Sequence, residues 1–424
     1  MSVGLSLYRA GTALAGYLLA PLLRCAAPQG SALRLSLAPV GADLSGASGS
    51  VWVHAASMGE VLAARRWVDT LEAHGCRPPF LLTTRTRSGL ARARAELQGR
   101  VLARIAPADL PGPVRAVLRH MVPCRLDILE TEIWPNLIHE ARRARVPVLF
   151  VSATVSERTL RRLLASGLAG PALLGDGVWV LAQSEGDAGR FRALGVPAER
   201  VAVTGDLKAE PPVARGAPPS RRAAVVFGSL RPGEEKAAVA VARAATARGL
   251  ACLLAPRHEE GAVRARAALE AAGLRALVRE EGSRAGQPLR AWIDAIASEP
   301  GGAVGVLATR GELAAAYEAA ALAVVGGTFA DFGGHNVLEP AARGCPVVVG
   351  PHHTAVEPAV RALRSAGALE IACDAAEAGR LVGAWLDAPD RIDGAGEAAR
   401  RVAEDASQAA ERAYEAVHAF GLEP

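Results

Sequence analysis

The sequence predicts an α/β protein made of two halves of similar size, each a parallel sheet covered by helices. Short apolar runs alternate with segments whose apolar residues recur every three or four positions, the pattern of parallel strands joined by crossover helices. The alternation breaks at 209–222 (AEPPVARGAPPSRR), a stretch with four prolines and no apolar period, which reads as a linker. It then restarts, with no internal repeat of roughly 20–50 residues and therefore no solenoid. A length of 424 residues suits two or three domains, and 50% hydrophobic against 21% charged residues allows a sizeable core.

In the first half the apolar runs place strands at 51–54, 80–83, 101–105, 126–129, 146–151, 178–182 and 201–203, with helical spacing between most of them, as at 88–97 and 187–194. In the second half they place strands at 223–227, 251–254, 276–278, 303–307, 322–325, 346–349 and 369–371, followed by a long helix over 393–420. The expected division is a first domain at 31–208, a linker at 209–222 and a second domain at 223–424. The last helix is left free to pack back on the first domain. Two such halves imply a cleft, a preferred place for a ligand.

Residues 1–30 depart from the soluble pattern. Positions 10–23 (AGTALAGYLLAPLL) carry no charge and are bracketed by Arg9 and Arg24. Spanning a bilayer takes about 20 apolar residues, and that length is reached here only by including Arg9. A marginal anchor, an interfacial helix and a signal peptide cleaved near 25–27 all compete. Membrane attachment with the body on the cytoplasmic side is favoured, because Arg24 and Arg34 beyond the apolar run follow the positive-inside tendency.

The net charge of +5 favours anionic partners. Basic residues are spread along the chain and aromatics are only 4%, so nucleic acid is not an expected partner. The six cysteines are far apart, with no CxxC pair and no disulfide framework, which points to a reduced setting. His352-His353 is the one histidine pair and no HExxH accompanies it, so neither a metal nor another cofactor is expected. The absence of GxxxxGK[ST] removes P-loop phosphotransfer.

Polar residues gather at the expected strand ends, where open α/β sheets bind ligands. The first strand runs into Ala55-Ala-Ser-Met-Gly-Glu60. Glu60 has two readings, a capping box with Ser57 or a catalytic carboxylate. Glu130 and Glu132 follow another strand beside Trp134, and Lys208 closes a Gly-Asp-Leu-Lys turn before the linker; by themselves, a solvated lysine and an ordinary exposed acid are the default readings. In the second half, Arg257-His258 follows a buried strand. The stretch Gly326-Gly-Thr-Phe-Ala-Asp-Phe-Gly-Gly-His-Asn-Val-Leu-Glu-Pro340 sets two glycine pairs around a polar loop, with Asn336 as a helix cap and Glu339 three positions on. Free amides and a helix N-terminus there would seat a nucleotide phosphate, with Glu339 accepting from ribose hydroxyls. A tight turn with a capped helix is the plainer alternative. Ser152 and His54 have no triad partners in the spacing, which disfavours a triad hydrolase.

Taken together, Ser57-Met-Gly-Glu60, Glu130-Thr-Glu-Ile-Trp-Pro-Asn136, Gly205-Asp-Leu-Lys208, Pro256-Arg-His258 and Gly333-Gly-His-Asn-Val-Leu-Glu-Pro340 resemble the Kdo transferases. These enzymes add 3-deoxy-D-manno-octulosonic acid to a lipid A precursor. The resemblance implies a GT-B fold, an N-terminal membrane attachment at the cytoplasmic side of the inner membrane, CMP-Kdo as donor substrate, a lipid A precursor as acceptor, and no metal. It implies Glu60 as general base, Glu130 and Lys208 as stabilisers of the transition state, and Arg257, His258, Gly311, Glu312, Leu313, Asn336, Val337, Leu338 and Glu339 around CMP. It leaves the oligomeric state open. Departures from the family pattern fall at Leu230-Arg231, Asp206, Gly261 and Thr354-Ala355, beside the substrate motifs. The alternatives are another GT-B enzyme, such as a lipid-linked glycosyltransferase or a nucleotide-sugar epimerase, and a non-catalytic nucleotide-binding scaffold.

Overall fold

The computed structural model describes residues 2–38, 48–168, 170–209, 224–282, 287–299 and 302–424. Except for Ala209, the expected linker lies outside these residues, as do position 223 and most of a Gly/Ser/Ala-rich spacer at 41–50. The chain forms two compact units, Met1–Lys208 with Gln408–Pro424, and Ala209–Ser407.

The first unit holds seven strands: β1 (Val51–His54), β2 (Phe80–Thr84), β3 (Val101–Ile105), β4 (Arg125–Leu129), β5 (Val148–Ala153), β6 (Val178–Ala182) and β7 (Val201–Val203). They pair in parallel in the order β3-β2-β1-β4-β5-β6-β7. The second unit holds β8 (Ala224–Leu230), β9 (Ala251–Pro256), β10 (Arg275–Arg279), β11 (Ala303–Leu307), β12 (Ala320–Val325), β13 (Val347–Val349) and β14 (Leu369–Ile371), in the order β10-β11-β9-β8-β12-β13-β14. Strand order reverses between β1 and β4 in one sheet and between β8 and β12 in the other. The loops leaving those strands are where doubly wound sheets place ligands.

Helices cover both faces, so the central strands β1, β4 and β5 are buried along their whole length rather than at alternate residues. All four residues of β1 are buried. Its side chains still point to opposite faces by the two-residue period. Trp52 enters the cluster of Leu126, Ile128, Val148 and Phe150, whereas Val51 and Val53 enter that of Trp67, Leu129 and Val151 on the other face.

All fourteen expected strands are present, six with the expected ends and the others with ends shifted by one to three residues. Two shifts have a local cause. β5 runs to Ala153 through a register irregularity after Phe150, and Ser152 within it has φ 52°. β8 runs to Leu230 through a matching irregularity that contains Ser229 at φ 56°. A bulge re-aims a strand end and is common beside active sites.

The long helix expected over 393–420 is two helices, Pro389–Ser407 and Ala409–Ala419, because the chain leaves the second unit at Ser407 and rejoins the first at Gln408. Asn336 is not the N-cap of its helix: Val337 holds that position, and the Asn336 carboxamide oxygen accepts the N–H of Leu338 at 2.9 Å. The helix itself, Leu338–Ala341, is a single turn.

The N-terminal apolar stretch is a helix, Val3–Leu18, followed by Ala20–Ala26 and Ala32–Ser36. Among the described residues, no helix is long and apolar enough to cross a membrane.

Candidate active site

Glu60 lies in the first turn of the helix Met58–Ala73, directly after β1. Ser57 caps that helix: its Oγ accepts the N–H of Glu60 at 3.3 Å and donates to Glu60 Oε1 at 2.7 Å. Glu60 Oε2 accepts the N–H of Ala56 at 2.7 Å. The serine half of the capping box is therefore formed, while the Glu60 carboxylate reaches back to the amide of Ala56 rather than that of Ser57 and is buried with 8% exposure. Each carboxylate oxygen carries two acceptor sites, so both keep capacity for a further donor.

Glu130 directly follows β4, in the left-handed region at φ 58°, a costly conformation for a residue with a Cβ. Its carboxylate forms an ion pair with the Lys208 ammonium. Burial lifts the Glu130 carboxyl above its ordinary range against the pull of Lys208, and the negative charges of Glu60 and Asp206 push it the same way. Glu60, Glu130 and Lys208 thus sit within one electrostatic neighbourhood at the point where strand order reverses. Gly59 lies directly against this group: a Cβ on it would stand 3.4 Å from Lys208 Nζ, in ordinary contact.

The turn that carries Lys208 is held from several sides. The Ser152 hydroxyl accepts the N–H of Leu207 at 3.1 Å and donates to Asp206 Oδ1 at 3.1 Å. Asp206 Oδ1 also accepts the N–H of Lys208 at 2.9 Å. Arg66 donates to the carbonyl of Leu207, and Arg412 Nε donates to that of Thr204 at 3.1 Å. Sequence reasoning treated Ser152 only as a failed triad member and Asp206 only as a departure. The feature that would have exposed them is a polar residue inside an otherwise apolar strand.

A second cluster surrounds Glu132, whose Oε2 accepts from Trp134 Nε1 at 2.7 Å. Arg85 Nη1 and His54 Nε2 approach that same oxygen at 3.8 Å and 3.9 Å. Burial raises the Glu132 carboxyl, but His54, Trp134 and Arg85 outweigh it and hold the group below its ordinary range.

In the second unit the expected phosphate cradle is filled by the protein itself. The buried Glu234 carboxylate accepts the N–H groups of Gly327 (3.0 Å), Thr328 (3.0 Å), Phe329 (2.8 Å) and Arg231 (2.8 Å). The amides following β12, read from sequence as free for a ligand, are therefore satisfied internally. A buried carboxylate needs such donors, and Gly233-Glu-Glu235 at the end of β8 was the missed signal.

Positive charge gathers beside this clamp. Arg231 donates to His258 Nε2 at 2.7 Å and lies over the Phe332 ring at 4.1 Å. Burial first, and then the positive surroundings of Arg257, Arg231 and His258, together lower the His335 imidazole to about 4. Burial raises the Glu339 carboxyl, opposed by Arg343 and Arg257. Arg257, His258 and Glu339 thus share one patch. Glu312 is instead committed to the buried Arg279, in a two-pronged pair at 3.0 Å and 3.0 Å, and to Thr309 at 2.5 Å. Gly311 and Leu313 flank it, leaving backbone rather than carboxylate to face a ligand. Among the described residues, no group of three His, Cys, Asp or Glu side chains has the geometry to hold a metal ion.

Residues 29–210 match the family described as 3-deoxy-D-manno-octulosonic-acid transferase (kdotransferase). A 3-deoxy-D-manno-octulosonic acid transferase of Bordetella pertussis is 37% identical over 372 residues, covering 82% of this chain and 82% of that one. The chain belongs to the Kdo transferase family. Its architecture is that of solved structures at low identity. UDP-GlcNAc 2-epimerase from Neisseria meningitidis aligns with a TM-score of 0.59 at 11% identity, over 87% of this chain and 100% of that one. A glycosyltransferase from Rickettsia africae aligns at 0.54 and 10%, over 88% and 98%. Those likenesses concern the fold alone: two Rossmann-like domains of the GT-B type. Family membership, not fold, separates this Kdo transferase from the epimerases that share its architecture.

Proposed function

We propose that this member of the family is an inverting glycosyltransferase that moves Kdo from CMP-Kdo to a lipid A precursor in lipopolysaccharide core biosynthesis. The observation that carries the mechanism is the convergence of Glu60, Glu130 and Lys208 where the first sheet reverses its strand order. Glu60 accepts the proton of the acceptor hydroxyl as that oxygen bonds to the anomeric carbon of Kdo. The bond from that carbon to the CMP phosphate breaks from the opposite face, and CMP leaves with the bonding electrons. Lys208, steered by Glu130, offsets negative charge on the donor carboxylate or the departing phosphate. Arg257 and His258 bind the phosphate, while the backbone at 311–313 and residues Asn336, Val337, Leu338 and Glu339 hold the nucleoside. With fixed cations in these roles the reaction is expected to need no metal, and EDTA should leave the turnover rate unchanged.

The protein is proposed to work at the cytoplasmic surface of the inner membrane. Ten of the seventeen exposed large hydrophobic side chains among the described residues fall within the first 35 positions, which supports that placement. The deciding assay is transfer from CMP-Kdo to a tetra-acylated lipid A precursor. Glu60→Gln should lower turnover by roughly 10²–10⁴-fold while CMP binding persists. Equal turnover in the two proteins would remove Glu60 as the base.

A further inference from the structure

A pocket of about 460 Å³ opens on the first unit, within the size range of small-ligand sites. One wall comes from the N-terminal helices, through Tyr8 and Leu33. The rest of the lining comes from the end of β3, through Ile105, and from the loops after β2 and β4, through Arg85, Ile133 and Trp134. Ten of the thirteen lining residues have apolar side chains, and backbone and polar side-chain atoms supply about half of the open surface between them. The carboxylate of Asp109, also in the lining, is spent inside the protein: it accepts from Tyr8 Oη at 2.9 Å and from the N–H groups of Asn136 and Leu137 at 3.2 and 2.8 Å. Arg85 is different. Its side chain is 58% exposed, and its ion pair with Glu132, at 3.8 Å, is longer than a hydrogen bond, so its donors remain open to a ligand.

Two further observations say what would enter. Leu33 belongs both to the pocket lining and to the exposed apolar surface of the N-terminal helices, where it is 49% exposed. The pocket is thus continuous with the surface proposed to rest on lipid. Arg85 is also joined to the catalytic loop: its N–H donates to the carbonyl of Ala56 at 3.2 Å, and the N–H of Ala56 donates to Glu60. An apolar slot reached from a lipid-facing surface, with one open cation at its catalytic end, matches a lipid with an anionic headgroup.

We propose that this pocket takes an acyl chain of the acceptor, with the acceptor's anionic headgroup against Arg85, so that the N-terminal helices form a wall of the acceptor site as well as an attachment. The assignment rests on the acceptor being a lipid A precursor. Ala32, in the same lining, offers a way to fill the slot. In the full-length protein in detergent, Ala32→Trp should lower the ratio of kcat/KM for the acylated acceptor to kcat/KM for its deacylated sugar phosphate by roughly tenfold or more. A ratio cancels any loss of folded enzyme, and Leu33→Asn should move it in the same direction. An unchanged ratio, or equal losses on both acceptors as a sugar-binding pocket would give, overturns the proposal. A lipid A precursor with a photoreactive diazirine at the end of one acyl chain should label residues in 32–36, 105–109 or 133–135 of the wild type. Labelling confined to the outward surface of residues 3–23 overturns it. Labelling is read without turnover and so tests the pocket even if the wild type transfers Kdo to neither acceptor, a result that would count against the proposed activity instead.

Discussion

Ser152 shows how a single residue is strained to serve another. A left-handed conformation at a residue with a Cβ costs on the order of 1–3 kcal/mol, and here bonds to Asp206 and Leu207 offset it. Gln183 Nε2 adds a third, to the Ser152 carbonyl at 3.0 Å. Ser152→Ala should keep the strain, lose the hydroxyl and loosen the Lys208 turn. Turnover is then expected to fall roughly tenfold with CMP affinity unchanged, and Ser152→Asn, which tolerates the left-handed region, should restore most of it. His335 gives a pH dependence. Its folded pKa of about 4 lies below the ordinary value of 6.5, so the unfolded chain binds the proton more readily. Its contribution to stability is therefore complete above pH 6.5 and is lost as pH falls toward 4. Denaturation midpoints measured across that window should decline less steeply in His335→Gln than in the wild type. Sequence identified Glu60, Glu130 and Lys208 because strand ends advertise polar residues. It missed Glu234 because a buried carboxylate and a ligand-binding one look alike until their donors are known.

At the scale of elements, the N-terminal helix is more firmly seated than its apolar composition suggests. Leu5 is fully buried against the first unit. Arg9 Nη2 donates to Glu140 Oε1 at 2.6 Å, and Arg115 Nε donates to Glu140 Oε2 at 2.9 Å. Thr12 accepts from Asn136 at 3.0 Å. Read in sequence, Arg9 was only a flank of an uncharged run; in the fold it turns inward to a buried carboxylate. Arg9→Met should destabilise docking of this helix by about 1–3 kcal/mol, visible as faster proteolysis near the N-terminus, while Arg115 still balances Glu140. The outward side chains Leu14, Leu18 and Leu22, each more than half exposed, make a separate prediction. Leu14→Asp with Leu22→Asp should abolish flotation with anionic vesicles and leave CMP binding intact. Retained flotation would remove these helices as the attachment surface.

On the scale of the molecule, the chain closes the first unit with its own C-terminal region. Ala409, Ala410, Ala413, Val417 and Leu422 enter the core that contains Trp67 and Val53. Arg125, buried and bound two-pronged to Asp127 at 2.6 and 2.9 Å, also donates to the carbonyl of Leu422. Truncation after Ser407 would strip that apolar cover and leave Arg125 short of an acceptor. The first unit should lose about 3 kcal/mol or more and the second almost none. Differential scanning calorimetry would show this as one lowered transition and one unchanged.

What the sequence determined by itself was periodic or covalent. Apolar runs and helical spacing set fourteen parallel strands in two sheets, because strand and helix periods are local properties of the chain. Motif spacing set the family and the three carboxylate and lysine candidates of the first unit. Tertiary structure decided which polar groups were already spent. Whether the amides after β12 were free, whether Arg9 faced lipid or Glu140, and where the helix at 393–420 broke each depended on partners from about 90 to nearly 300 positions away, such as Glu234 with Thr328 or Arg125 with Leu422. Burial drives most such donors and acceptors to find a partner, and the choice among partners exists only once distant strands have been brought side by side.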